Sequence, residues 1–372
     1  MKKVLFLAVV SLAAASCLKN EAFVVETPQE LTFKAVANVA TKADAQLEGT
    51  LLNKDYRIYA SATQRKADGT IENASYFTDK TFATDTTITI DANSQYHAME
   101  FINGEWQVSP IYWPLGGCSV DYIAYAMPSD VHDANPAPAD GPVATYKNKA
   151  TDVASHLAFN SWDTYDNQVD VLYAVKNGAN TTDHAGNTDA GTQQTLPLTF
   201  NHAQALLVFK AKVNTPNVMQ INEIKIAGLQ VKGNFVVDNT RNSLVAEWTS
   251  LETKDGKDVV AEGANTNDDN LHAYNDDEPK DATSEYLDNT ADFEQVGSSL
   301  LIPQQSARNF VVTYHISGKK MKYEYNHSRT AWEMGKKYVY NLDFTLNEVV
   351  ITESVEDFLA ADNLVENTIP LK

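Results

Sequence analysis

Eight histidines, two cysteines and an excess of carboxylates are the groups in this chain that could do chemistry. A histidine-held metal needs imidazoles on one face, and HxH or HxxxH spacing is how strands and helices supply them. His97, His132, His156, His184, His202, His272, His315 and His327 show neither spacing. Nucleophile elbows, zincin sites and phosphate cradles are absent as well, since GxSxG, HExxH, GxxxxGK and a Gly-rich dinucleotide turn do not occur. Asn267-Asp268-Asp269-Asn270 and Asn275-Asp276-Asp277-Glu278 offer the oxygens calcium takes, without the glycine-centred spacing of an EF-hand. They read as solvated acidic loop. No catalytic residue, metal or cofactor is expected. Trp106, Trp113, Trp162, Trp248 and Trp332 could stack sugars, although tryptophans scattered through strand proteins more often fill cores.

The most specific chemistry sits at Cys17. Met1-Lys2-Lys3 gives a basic head, Val4 to Ala15 an apolar stretch, and Ala14-Ala15-Ser16 a small-residue exit that ends at the cysteine. A spanning helix needs roughly 20 apolar residues, so this layout is a secretory signal. Residues 1–16 are expected to be a lipoprotein signal peptide, cut before Cys17 once its thiol carries diacylglycerol. Ala14 stands where such signals usually carry leucine, and the competing reading is an ordinary signal peptide. Lipid on Cys17 leaves Cys118 without a disulfide partner, as a small buried apolar residue.

Loss of Lys2 and Lys3 takes the formal charge from −20 to −22. Nucleic-acid binding needs a basic footprint, and none is present. The remaining length suits two domains. Period-two alternation marks half-buried strands. It is clearest at Tyr338, Tyr340, Leu342 and Phe344, and it recurs at Ala205 to Val213, Phe310 to Ile316, Met321 to Tyr325 and Val120 to Ala126. Shorter pieces are Tyr56 to Ala60, Thr86 to Ile90, Val169 to Val175 and Phe235 to Val237. Ala154 to Phe159 could form one or two helical turns. Residues 177–195 read as a polar boundary loop and 252–294 as an acidic surface insertion. Many short strands between Asn, Asp, Gly and Pro turns predict an all-β chain of antiparallel sandwiches.

Two runs are distinctive: Leu196-Pro197-Leu198-Thr199-Phe200-Asn201-His202 continuing to Phe209, and Trp332-x-x-Gly335-Lys336-x-Tyr338-x-Tyr340-x-Leu342-x-Phe344. Gly335 suits a turn with positive φ, Tyr338 and Tyr340 should share one core, and His202 reads as a strand-end histidine making one hydrogen bond. Together with Leu300-Leu301-Ile302-Pro303-Gln304 and Asp170-Val171-Leu172-Tyr173-Ala174, these runs resemble the fimbrillin-like family, the lipoprotein-derived subunits of type V pili.

That resemblance implies two tandem transthyretin-like β-sandwich domains. It also implies a surface protease that cuts after Arg or Lys near the N-terminus, frees the first strand and opens a groove for a neighbour's strand. Here Leu31, Phe33, Ala35, Ala37 and Val39 alternate with Thr32, Lys34, Val36, Asn38 and Ala40, as a removable first strand with one buried face would. Lys42 follows at once and is the expected cut site. Lys34 lies within the strand, and Arg57 within the next one. Val365, Ile369 and Leu371 form the short apolar face of a candidate donor strand, weakened at Pro370. The expected segments are 1–16 signal, 17–42 lipidated segment with the removable strand, 43–195 and 196–358 sandwiches, and 359–372 donor tail. The implied protein is a fimbrial subunit at the outer membrane and cell surface. It would be held by lipid on Cys17 before processing, partnered by other pilus subunits and used for adhesion. A monomeric glycan-binding outer-membrane lipoprotein is the alternative.

Overall fold

The computed structural model describes residues 31–37, 52, 56–73, 97–103, 105–107, 118–128, 144–146, 155–164, 169–179, 194–214, 219–226, 228–240, 243–253, 259–260, 292–304, 309–316, 319–326, 331–345 and 348–358. Among the described residues there is no helix, and the chain is all-β. The first strands are β1 (Leu31–Ala37), β2 (Tyr56–Arg65), β3 (Ile71–Asn73), β4 (His97–Ala98), β5 (Glu100–Ile102), β6 (Glu105–Gln107) and β7 (Ser119–Pro128). Then come β8 (Ala144–Tyr146), β9 (Ser155–Asp163), β10 (Leu172–Ala179), β11 (Gln194–His202), β12 (Ala205–Val213), β13 (Met219–Ile226), β14 (Gln230–Thr240) and β15 (Ser243–Thr253). The last are β16 (Val259–Val260), β17 (Glu294–Leu301), β18 (Phe310–Ile316), β19 (Lys319–Tyr325), β20 (Lys336–Phe344) and β21 (Val349–Asp357).

The N-terminal sheet runs β3-β2-β7-β10-β11-β1-β6-β5, with β4 on β2. It folds over on itself. Phe33 of β1 meets Tyr122 of β7 edge to face, at 5.3 Å between ring centroids, although two strands separate β1 from β7 in the sheet order. Ile58, Ala60, Val120, Ala124, Leu172, Leu198 and Phe200 fill the space enclosed. The opposite face of β2, β7 and β10 carries Tyr59, Ile123, Tyr125, Met127 and Tyr173, which pack on a second sheet, β15-β14-β9-β8. Burial on both faces explains why β7 reads as a nearly unbroken apolar run. The hairpin β14–β15 thus joins β9, an element far upstream.

Past Ala203 the chain enters a sandwich of β17-β12-β20-β21 on β16-β13-β18-β19. Its core takes the alternating residues of β12 and β20, with Phe209 and Phe310 at 5.2 Å and Tyr314 and Phe344 at 5.0 Å. Tyr338 and Tyr340 are both buried there, and Gly335 has φ 72°. Several local expectations change. The stretch 177–195 is not all loop, because β10 runs to Ala179 and β11 starts at Gln194, so the expected boundary between 195 and 196 falls inside β11. Ala154 to Phe159 is no helical turn, because Ser155 onward is β9, paired from Phe159↔Phe235 to Ser155↔Asn239. Tertiary pairing outweighs a weak local preference in so short a stretch. Cys118 is half-buried rather than buried, since it stands just before β7 and its Sγ lies 3.3 Å from Glu72 Oε2. Partial burial, and then that hydrogen bond, push its thiol up from the ordinary value, so it is a poor nucleophile near neutrality.

Candidate functional site

The site expected at the chain's first strand is built around β1. This strand runs parallel to β11 from Leu31↔Gln194 to Ala37↔Phe200 and meets β6 at Phe33↔Trp106. Two strands so far apart in sequence have no hairpin to make them antiparallel, so parallel pairing is open to them. Phe33 is 0% exposed and Ala35 1%. Alternation therefore places at least these two side chains where the sequence put them, on the core face. Burying Phe33 contributes about 1.5–3 kcal/mol relative to leaving it in water.

Neighbouring groups close around this seat. The Leu52 amide donates to the Ala35 carbonyl at 3.1 Å, and Trp106 Nε1 donates to the Leu52 carbonyl at 2.9 Å. Leu196, Leu198 and Phe200 of β11, Tyr122 of β7 and Trp106 of β6 complete the wall. Sequence reading found Phe33 and Ala35 but not this wall, because pairing between β1 and β11 leaves no local signal. Of the other expected site residues, Leu31 and Ala37 lie within β1, opposite Gln194 and Phe200. Val39, Lys42 and Cys17 lie outside the described residues, as do Val365, Ile369, Leu371, Trp113, Thr86 to Ile90 and the acidic runs near 268 and 276.

A second cluster stands at the end of β11. His202 Nδ1 lies 2.9 Å from Asp170 Oδ1, and both side chains are buried. With the carboxylate accepting, the Nδ1–H tautomer fits. The His202 ring stacks on Phe358 at 3.7 Å and 13°. The Gly335 amide donates to the Gln204 carbonyl at 2.9 Å, and the Phe358 amide donates to the Gly335 carbonyl at 3.3 Å. Asp170 Oδ2, His202 Nε2 and both polar side-chain atoms of Gln204 are buried without a hydrogen-bond partner among the described residues. Such groups are rare in protein interiors. Phe358 was not singled out in the sequence; its signal was only a lone aromatic after a charged strand.

Trp106, Trp162 and Trp332 are buried, and half-buried Trp248 donates from Nε1 to the Ala203 carbonyl at 2.6 Å, so the first three present no face to a sugar. Among the described residues, no three His, Cys, Asp or Glu side chains gather as a metal site.

Comparison with known proteins adds the family. No curated protein matches the chain. A fimbrial protein from Bacteroides vulgatus is similar at 13% identity and a TM-score of 0.43, covering 88% of this chain and 99% of its own. The tip fimbrial protein Mfa3 from Porphyromonas gingivalis, with C-terminal truncation, is similar at 8% identity and a TM-score of 0.37, covering 89% and 100%. A fimbrial assembly protein from Parabacteroides distasonis is similar at 10% identity and a TM-score of 0.37, covering 89% and 97%. The sequence profile of the fimbrillin-like family matches residues 63–357, most of the chain, and the protein belongs to that family.

Proposed function

We propose that the protein is a structural subunit of a cell-surface fimbria, assembled by proteolysis-triggered strand exchange and used for adhesion. The observation that carries this reading is the seat of β1. One strand from the start of the chain is slotted between β11 and β6, with Phe33 and Ala35 buried. Its removal would bare the apolar side chains of Leu196, Leu198, Phe200, Tyr122 and Trp106. An exposed sheet edge beside apolar side chains invites pairing with another chain, so a covering strand delays assembly until it is cut away.

In this scheme lipid on Cys17 holds the subunit at the outer membrane. A surface protease cuts after Lys42, and a neighbour's C-terminal strand of the type formed by Val365, Ile369 and Leu371 fills the slot. The N-terminal sheets, completed by β11, β14 and β15, and the sandwich built on β12 and β20 act as the two units of the subunit. Backbone hydrogen bonds to β11 would hold the incoming strand, and alternating pockets would fix its register.

The test is N-terminal sequencing of the surface form beside electrophoresis without boiling. Ala43 as the first residue and a ladder of high-mass species are expected, and Lys42→Ala should abolish both. An uncut lipid-bearing form that makes the same ladder would overturn the scheme.

A further inference from the structure

The two clusters described above lie on one strand and one face. In β11, Phe200 and His202 are two residues apart and so point the same way. Phe200 borders the space that holds Phe33, and His202 carries the Phe358 ring. Across the sheet, His202 is opposite Leu172, which belongs to the same enclosed core. The described end of β1 is Ala37, opposite Phe200. Two residues of strand span about 7 Å. Phe358 therefore stands one side-chain step beyond the end of the β1 slot.

Phe358 is also a point of attachment. It is 1% exposed, whereas Glu356 just before it has half its side chain in solvent. Its ring packs on Leu206, Val208, Leu300 and Val339, on the face of β12, β17 and β20 opposite the sandwich core. Its amide is tied through Gly335 to Gln204. Three connections, β11 to β12, the turn before β20 and the end of β21, meet at this one ring.

Resting on the strand-exchange reading, we infer that Phe358 is a positioning residue for assembly. Clamped on His202, it fixes where the C-terminal segment leaves the subunit and seals the end of the slot that receives a segment from a second copy. The departure point and the acceptor slot then form one joint, and the angle between successive subunits is set by β11. The unpartnered buried atoms of His202, Asp170 and Gln204 lie at this joint.

The test uses the full chain with two variants, Phe358→Leu, which keeps apolar burial but loses the ring, and Phe358→Tyr, which keeps the stack. Hydrogen exchange on the uncut protein comes first. Phe358→Leu should speed exchange at residues 357 and 358 at least tenfold with β20 unchanged, and Phe358→Tyr should match wild type. Limited trypsin treatment and electron microscopy follow. Phe358→Leu fibres should form but bend, with persistence length at least halved, and Phe358→Tyr should restore stiffness. Equal stiffness in the Leu variant, or unchanged exchange, overturns the joint. A wild-type chain that makes no ladder after trypsin sinks strand exchange and the joint with it, while altered exchange in the Leu variant would still locate the clamp.

Discussion

Two strands of this molecule have the same neighbours in kind and very different holds. Both β1 and β20 lie inside a sheet, parallel to one neighbour and antiparallel to the other. β20 is laddered on both sides, to β12 from Leu206↔Lys337 to Val213↔Phe344 and along its whole length to β21 from Lys336↔Asp357 to Phe344↔Val349. It buries Tyr338, Val339, Tyr340, Leu342 and Phe344. β1 has one full ladder, to β11, and among the described residues meets β6 at a single pair. A strand can be central in a sheet and still be weakly held, if one of its two ladders is short. The comparison predicts where the protein tolerates loss.

The largest effect should come from Phe33 and Phe344, both fully buried aromatics. In the uncut protein, Phe33→Ala and Phe344→Ala should each cost about 3–5 kcal/mol, from lost burial and the cavity left behind. Urea denaturation would measure this. If Lys42 is cut and the strand lost, as proposed, the Phe33 penalty should vanish and the Phe344 penalty remain. A Phe33 penalty that survives cutting would show that β1 stays in place, and the contrast with β20 would fail.

The second contrast is between ion pairs. Arg65 and Asp121 pair in the N-terminal sheet with side chains 3% and 4% exposed. Asp121 Oδ1 also accepts from the Gly178 amide at 2.8 Å, and Arg65 Nη1 donates to the Gly69 carbonyl at 3.2 Å. Lys212 and Asp343 pair at 2.9 Å in the C-terminal sandwich, 23% and 24% exposed. Asp121→Ala leaves a buried guanidinium short of its carboxylate and should cost about 3–5 kcal/mol. Asp343→Ala removes a pair open to solvent and screening and should cost about 1 kcal/mol or less. Thermal melts of both variants in low and high salt would check this, with salt weakening only the second pair in the wild type.

These residues also show what the sequence could reveal. Alternation located β20, β12 and β18 and placed Tyr338 and Tyr340 in one core, because one buried face with period two is a local signal. It located Phe33 and Ala35 for the same reason. Partners were not legible. Nothing near Leu31 announces Gln194 to Phe200, and nothing in Gln230 to Thr253 announces that this hairpin completes the sheet of β9. Pairing between distant segments is decided by which edges remain after local hairpins form, and that information belongs to the whole chain. Asp170 and His202 each stood within a distinctive run, but their pairing and the stacking of His202 on Phe358 join three segments.

A smaller effect is expected at Gly335. Its φ of 72° is a conformation that disfavours a side chain, yet an added Cβ would meet nothing nearer than the His202 carbonyl oxygen at 4.0 Å. Gly335→Ala should therefore cost about 1–2 kcal/mol, from backbone conformation alone. Gly228, with φ 70° and open space around it, should respond alike. A much larger loss at Gly335 alone, measured by denaturation, would mean that its link between Gln204 and Phe358 is strained by even a small backbone shift.

The smallest effect at neutral pH, and the last test of the contrast, concerns tyrosines. Burial pushes the Tyr125 phenol well above the ordinary tyrosine value, and Tyr59, stacked at 5.1 Å, adds to this. Burial also raises Tyr314 in the C-terminal core. In the unfolded chain both groups lose their protons near pH 10, while the folded protein holds them. The folded state then binds more protons than the unfolded one. Stability is fully present below about pH 10 and falls as pH rises beyond it. The N-terminal core, with the more strongly shifted tyrosine, should open first. Tyr125→Phe, costing about 1 kcal/mol or less at pH 7, should move the alkaline transition of that core upward, and Tyr314→Phe should move the C-terminal one less. Near-ultraviolet circular dichroism and hydrogen exchange followed from pH 8 to 12 would separate the two. Simultaneous loss of both cores would mean that they unfold as one cooperative unit, with the joint at His202 and Phe358 among the contacts that couple them.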